Sequence, residues 1–212
     1  MTTAKICGLS TIETLDAAVA GGASHVGLVF FEPSPRHLSF ERAEALASRV
    51  PRHVQRVGVF VDPDSDFIER AVRVANLHVI QLHKTAPRRV ADLRNALRVE
   101  AWAAVAVKTR SDLERAADYL GAADRILYDA KTPDDAALPG GMGVRFDWSL
   151  LDGFRHPLPW ALSGGLDAAN VAAAIRRTNA PIVDASSGLE SALGVKDMDK
   201  IAAFLQAVAR KS

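Results

Sequence analysis

The chain has 212 residues, near the size of one compact domain, and 49% of them are apolar against 24% charged. Its 26 basic and 25 acidic side chains leave a net charge of +1, which excludes the basic stripe of a nucleic-acid binder and the composition of an acidic disordered tail. No apolar run approaches the ~18 residues of a membrane span, the first residues lack the charged and apolar regions of a secretory leader, and the single cysteine, Cys7, rules out an intrachain disulfide or a cysteine-based zinc cluster; a cytoplasmic chain is expected.

Short apolar runs alternate with alanine-rich segments of helical spacing. A strand over 4–7 is followed by a helix over 11–20, with Ser10 or Thr11 as cap and Gly21-Gly22 as stop. Strand 25–30 leads to a helix over 39–47 that ends before Pro51. Strand 55–61 precedes helix 64–75, and strand 77–82 precedes helix 86–97. Strand 99–107 leads to helix 111–120, capped by Ser111 and stopped by Gly121. After strand 125–129 come a glycine loop at 140–143 and a short helix over 146–151. Strands 158–162 and 181–184 alternate with helices over 167–177 and 196–209.

Many of the runs are rich in Val, Ile and Leu without strict alternation, as in parallel strands covered on both faces. Eight strand–helix units at about 26 residues each predict an α/β fold, a single-domain (β/α)8 TIM barrel over 1–212. A doubly wound sheet would carry a Gly-x-Gly-x-x-Gly turn after its first strand; here that turn reads Cys7-Gly8-Leu9-Ser10. No long apolar stripe is left over once the helices cover the barrel, so a monomer is expected.

A barrel places its chemistry at the C-terminal ends of its strands. Ser163-Gly164-Gly165-Leu166 follows the seventh run, directly before a helix, and Ala185-Ser186-Ser187-Gly188 follows the eighth. Glycines there let backbone N–H groups approach an anion such as phosphate, or simply make tight turns. Cys7 ends the first strand with Lys5 on the same face; it is either a buried packing residue or a thiolate favoured by the ammonium. Asp129, at the end of the sixth strand, reads equally as a solvated acid, a helix cap or a catalytic carboxyl. Arg36 follows the stiff run Pro33-Ser34-Pro35 and is either surface or a bidentate clamp for a carboxylate. The six histidines show no i, i+4 pair, so no metal site is expected.

Several segments together resemble the phosphoribosylanthranilate isomerase family. They are Lys5-Ile6-Cys7-Gly8, Ser34-Pro35-Arg36, Gln81-Leu82-His83, Leu127-Tyr128-Asp129-Ala130, Phe146-Asp147-Trp148, Leu162-Ser163-Gly164-Gly165-Leu166 and Asp184-Ala185-Ser186-Ser187-Gly188-Leu189-Glu190. Pro139-Gly140-Gly141-Met142-Gly143 is similar to the family's Leu-Pro-Gly-Gly-Thr-Gly, and Gly194-Val195-Lys196-Asp197 to its Pro-Gly-Xaa-Lys-Asp. The likeness runs in register through all eight units. It implies a cofactor-free barrel of tryptophan biosynthesis that converts N-(5-phosphoribosyl)anthranilate to 1-(2-carboxyphenylamino)-1-deoxyribulose 5-phosphate, an Amadori rearrangement of a small phosphosugar.

By the same resemblance Cys7 is the general base and Asp129 the general acid. Arg36 holds the anthranilate carboxylate, Gly164, Gly165, Ser186, Ser187 and Gly188 hold the phosphate, and Asp184 lies near the reacting amine. The acid–base pair must be ionised at Cys7 and protonated at Asp129, the reverse of their ordinary values of ~8.5 and ~3.9. Burial and the substrate's two anionic ends are expected to raise Asp129 toward ~7, and Lys5 to lower Cys7. Two alternatives stay open: another phosphosugar barrel enzyme, which should carry paired Asp or metal-binding His instead of the Cys–Asp pair, and a non-catalytic anion-binding barrel. The chain departs from the family at Lys84, where Gly is common after Gln-Leu-His, and at Met142 and Arg145. A left-handed backbone at Lys84 would carry strain.

Overall fold

The computed structural model describes residues 1–131 and 145–210. Eight parallel strands close into a barrel in chain order: β1 (Thr3–Cys7), β2 (His25–Val29), β3 (Gln55–Val61), β4 (Val79–His83), β5 (Glu100–Val107), β6 (Arg125–Ala130), β7 (Trp160–Leu162) and β8 (Ile182–Ala185). The seam is the parallel pairing of β1 with β8, which sets Lys5 opposite Asp184. Around the barrel run α1 (Ile12–Ala20), α2 (Phe40–Ala47), α3 (Ser65–Val74), α4 (Pro87–Leu97), α5 (Arg110–Glu114), α6 (Val171–Thr178) and α7 (Met198–Ala209).

The helices start where side-chain oxygens satisfy their first amides. Thr11 accepts from Thr14 N at 3.3 Å, Ser39 from Arg42 N at 3.2 Å and Asp64 from Phe67 N at 2.8 Å. Period-2 alternation along each strand then sorts the side chains. Ile6, Leu28, Phe60, Ile80, Tyr128, Leu162 and Val183 are buried in one cluster with the helix residues Leu15, Leu46, Ile68, Leu93, Ile175 and Phe204. Each large side chain so buried contributes ~1.5–3 kcal/mol. The alternate residues fill the barrel. Val57, Val79, Trp102, Leu127, Ala161 and Ile182 form a layer of their own, with the His25 ring 5.3 Å from Trp102 and the Arg125 guanidinium 5.2 Å from it. The interior is therefore a packed plug, and the fold places chemistry at the C-terminal mouth above it.

Three expected helices start elsewhere. The helix expected over 111–120 is α5, whose N-cap is Thr109 in a capping box with Asp112, followed by a 3-10 stretch, Arg115–Tyr119. The helix expected from 167 begins at Val171, because Asp167 Oδ1 accepts from Ala169 N and Asn170 N, both at 2.9 Å, and holds a turn in front of it. The last helix starts at Met198, and the residues before it form a hairpin that apolar patterning does not announce: β9 (Glu190–Ala192) and β10 (Val195–Lys196). The short helix expected over 146–151 is a 3-10 turn, Trp148–Leu151, capped by Asp147. The glycine loop expected at 140–143, with Met142, lies outside the described residues.

Lys84 has φ of +53°, the left-handed conformation that glycine adopts without penalty. Replacing Lys84 by Gly is expected to stabilise the chain by ~0.5–1 kcal/mol. The left-handed residue costs ~1–2 kcal/mol, and the greater freedom of unfolded glycine takes back ~0.5–1. For a chain of this size that is ~1–4 °C in Tm, and a Tm at or below the parent's contradicts it.

Candidate active site

β1 brings two chemically different groups to the inner wall. Lys5 is wholly buried, and its Nζ lies 2.8 Å from Asp184 Oδ1 across the seam. Burial works against its charge, but the attraction of Asp184, helped by Cys7, outweighs it and holds the lysine above its usual pKa. Cys7, two residues on, packs with Val29 and Val59, with Phe31 against them. Its sulfur sits in space left by Gly27, where a Cβ would come within 2.9 Å of Sγ. Burial raises the thiol above its ordinary pKa and Asp184 adds to this; Lys5 pulls the other way and does not win. Lys5 lowers the thiol as expected, by its charge and by a hydrogen bond, but burial of the sulfur outweighs it and the net direction is upward.

Asp129 stands at the end of β6, also buried. Its carboxyl is pushed up to about 7, first by burial and second by the charge of Asp184; bonds from Ser163 and the Ala130 amide oppose this. The Ala130 N–H donates to Oδ1 at 3.0 Å. Ser163, just past β7, donates to Asp184 Oδ2 at 3.3 Å and so lies between the two carboxyls. One charged carboxylate held by lysine, beside a second that keeps its proton, is an arrangement for general acid chemistry near neutral pH.

Arg36 is not at the surface. It is buried, with Nε 2.6 Å from Glu190 Oε1 and Nη2 2.8 Å from Glu190 Oε2. The stiff loop does present a fork for a carboxylate, but one edge of it holds a carboxylate of the chain itself. Lys196 Nζ lies 2.5 Å from the same Glu190 Oε1. Burial alone would raise Glu190, yet bonds to Arg36 and Lys196 bring it down to about 2. Glu190 and Lys196 were quoted above only as parts of motifs. Nothing local in the sequence marks a hairpin whose first residue reaches back 154 positions to Arg36.

The two glycine-bearing loops lie side by side. Gly164 has φ of +93°, and a Cβ there would stand 2.8 Å from the Ala130 amide. A Cβ on Gly188 would run into the carbonyl of Leu166, so Gly188 lets the loop after β8 close on the loop after β7. Gly165 has φ of +61°. Ser186 donates to the Cys7 carbonyl at 3.1 Å, and Ser187 opens a 3-10 turn, Ser187–Leu189. The glycines therefore make tight turns, and the same turns leave Gly165, Ser186, Ser187 and Gly188 partly exposed at the mouth. The helix expected to begin at Asp167 and aim its first amides at an anion starts four residues later.

On the far wall β4 carries Gln81 and His83, whose side-chain nitrogens lie 2.9 Å apart. Burial pushes His83 down to about 4, so it is neutral. Gln81 Oε1 has no hydrogen-bond partner among the described residues. Nor is there a His/Cys/Asp/Glu group able to hold a metal among them.

A family model described as N-(5'-phosphoribosyl)anthranilate (PRA) isomerase matches residues 4–207. The chain is 55% identical over 206 residues to a protein of Zymomonas mobilis subsp. pomaceae named N-(5'-phosphoribosyl)anthranilate isomerase, covering 96% of each. The crystal structure of phosphoribosyl anthranilate isomerase from Thermotoga maritima superposes with a TM-score of 0.86 at 36% identity, covering 99% of this chain and 100% of that one. A crystal structure of a phosphoribosyl anthranilate isomerase in complex with reduced 1-(o-carboxyphenylamino)-1-deoxyribulose 5-phosphate gives a TM-score of 0.84 at 34% identity, covering 99% of this chain and 100% of that one.

The raised carboxyl has a consequence that needs no assay of activity. A buried acid whose pKa is higher in the folded than in the unfolded state costs nothing below the unfolded value near 4. Its cost grows as pH rises and is complete above about 7. Three units correspond to ~4 kcal/mol at the most. Asp129→Asn is therefore expected to be more stable than the parent at pH 8, by a few kcal/mol, with the gain vanishing toward pH 4. Urea unfolding across that range checks it; a gain independent of pH contradicts it.

Proposed function

This chain belongs to the N-(5'-phosphoribosyl)anthranilate isomerase family, and we propose that it runs the family's Amadori rearrangement with Cys7 as general base and Asp129 as general acid. The observation that carries the assignment is Asp129: a carboxyl at the end of a barrel strand that still holds its proton near neutral pH.

The substrate is an aminosugar whose ring must open before it can isomerise. Asp129 gives its proton to the ring oxygen, the bond from that oxygen to the anomeric carbon breaks, and the anomeric carbon becomes the carbon of a protonated Schiff base. The sugar carbon next to it is now acidic, and the sulfur of Cys7 takes its proton. The electron pair moves into a carbon–carbon double bond and neutralises the nitrogen, giving the enolamine. Tautomerisation to the ketone completes the product. General acid–base steps of this kind are worth ~10²–10⁴-fold each.

The mouth has two unlike halves that suit the two ends of such a substrate. Toward β1–β3 the wall is apolar: Cys7, Val29, Val59 and Phe31. In this reading the anthranilate ring lies there, with Arg36 on its carboxylate. Toward β6–β8 the wall is polar: Asp129, Ser163, Asp184 and Ser186. The sugar lies there, Asp184 faces the reacting amine, and Gly164, Gly165, Ser186, Ser187 and Gly188 hold the phosphate. The residual positive charge of Arg36 and Lys196 over Glu190 favours an anionic ligand.

Both reacting groups have raised pKa values, so only a minority of molecules holds thiolate and carboxylic acid together. We take the working form to be a cytoplasmic monomer that acts on the phosphosugar without a cofactor. Among the described residues no helix is long and apolar enough to cross a membrane.

The direct test is the loss of anthranilate fluorescence when the pure protein meets freshly made phosphoribosylanthranilate. In that assay Cys7→Ser is expected to lower kcat by at least ~100-fold with the fold intact, since an alcohol is a far poorer base than a thiol. Near-parental turnover in the variant would make Cys7 a packing residue.

A further inference from the structure

The cluster around Glu190 is larger than an anchor for one hairpin requires. Its Oε1 receives Arg36 Nε at 2.6 Å and Lys196 Nζ at 2.5 Å, and its Oε2 receives Arg36 Nη2 at 2.8 Å and the Gly194 amide at 3.1 Å. Two contacts on each oxygen saturate the carboxylate. The backbone carbonyl of Glu190 takes Lys200 Nζ from α7 at 2.6 Å. The hairpin closes over the loop before α2, where a Cβ on Gly194 would come within 2.8 Å of the Pro35 carbonyl. Arg36 in turn lies over the backbone next to Cys7: a Cβ on Gly8 would stand 2.6 Å from its Cδ.

A free arginine side chain carries ~2 kcal/mol of rotamer entropy, and a fork that must meet a carboxylate at one distance and one angle gains most from being held beforehand. Lys196 keeps Glu190 charged without competing for the guanidinium plane.

We infer that Glu190 is a positioning residue for substrate binding: it grips the Nε/Nη2 edge of Arg36 and sets the guanidinium in the orientation that receives the carboxylate of the substrate's aromatic ring. The inference rests on the reading of Arg36 given above and adds the group that aims it. It differs from a purely structural role in one respect. A hairpin anchor affects every ligand alike, whereas an aiming residue affects only ligands that carry the carboxylate.

The experiment compares two inert ligands, reduced 1-(o-carboxyphenylamino)-1-deoxyribulose 5-phosphate and the same molecule without its carboxylate. Glu190→Gln keeps the shape but sets an amide N–H₂ against the donors of Arg36, Lys196 or Gly194. It is expected to weaken the carboxylate-bearing ligand by ~10-fold or more, to change the other by less than ~2-fold, and to raise KM with kcat within ~3-fold. Glu190→Asp keeps the charge and withdraws it by one methylene; an intermediate loss with the same selectivity is expected, and this variant serves if Glu190→Gln does not fold. In an Arg36→Ala background either change should add less than ~2-fold.

Equal losses for both ligands, no loss for either, or losses that multiply with Arg36→Ala would overturn the inference and leave the reading of Arg36 standing. If Arg36→Ala alone leaves the carboxylate-bearing ligand as tightly bound as before, the reading of Arg36 falls and the inference falls with it.

Discussion

Lys5 and Asp184 face each other across the seam where the first strand meets the last, and the ion pair they make acts on both Cys7 and Asp129. A lysine with no exposure is stable as a cation only while its partner is charged; removing either would strand the other at a cost of ~3–5 kcal/mol. Asp184 is therefore held as an anion. Next to it, across Ser163, Asp129 meets that negative charge in a dry setting and keeps its proton. The same anion also works against a thiolate at Cys7. The same charge thus favours a proton on Asp129 and disfavours a thiolate at Cys7.

A second constraint is mechanical. Because the barrel interior is filled below the mouth, specificity has to come from the loops. These are locked to one another by close backbone contacts: Gly188 on Leu166, Gly164 on Ala130, Gly194 on Pro35. The hairpin formed by β9 and β10 closes the set by tying Arg36, Lys196 and Lys200 to Glu190. Asp129, Cys7 and Arg36 are thereby held on backbone that these contacts fix.

Much of this was legible in the chain, for identifiable reasons. The strands announced themselves because parallel strands buried on both faces read as unbroken apolar runs; Gln55–Val61 is found where the run lies. The helix starts at Ile12, Phe40 and Ser65 were legible because a Thr, Ser or Asp cap precedes each. The helix after β7 began late because Asp167 caps a turn, and a short polar residue marks a turn and a helix start by the same chemistry. The hairpin was invisible because its apolar residues Leu193 and Val195 are exposed, so they carry no burial pattern. Strand-end placement put Cys7 and Asp129 at the mouth, and the stiff loop at Pro33-Ser34-Pro35 did so for Arg36. Asp184 lies 179 positions from its ion-pair partner Lys5, and Glu190 lies 154 from Arg36. That is why neither the hold of Glu190 on Arg36 nor that of Asp184 on Lys5 is legible from the neighbouring residues.

The central claim is that Asp184, held ionised by Lys5, is a principal reason why Asp129 keeps its proton near neutrality. The most direct measurement is the titration of the Asp129 side-chain carboxyl by ¹³C NMR in the parent and in Asp184→Asn, an isosteric change that removes the charge. The account predicts a midpoint near 7 in the parent and a clearly lower one in the variant. A midpoint near 4 in the parent, or one that does not move when Asp184 is neutralised, would contradict it.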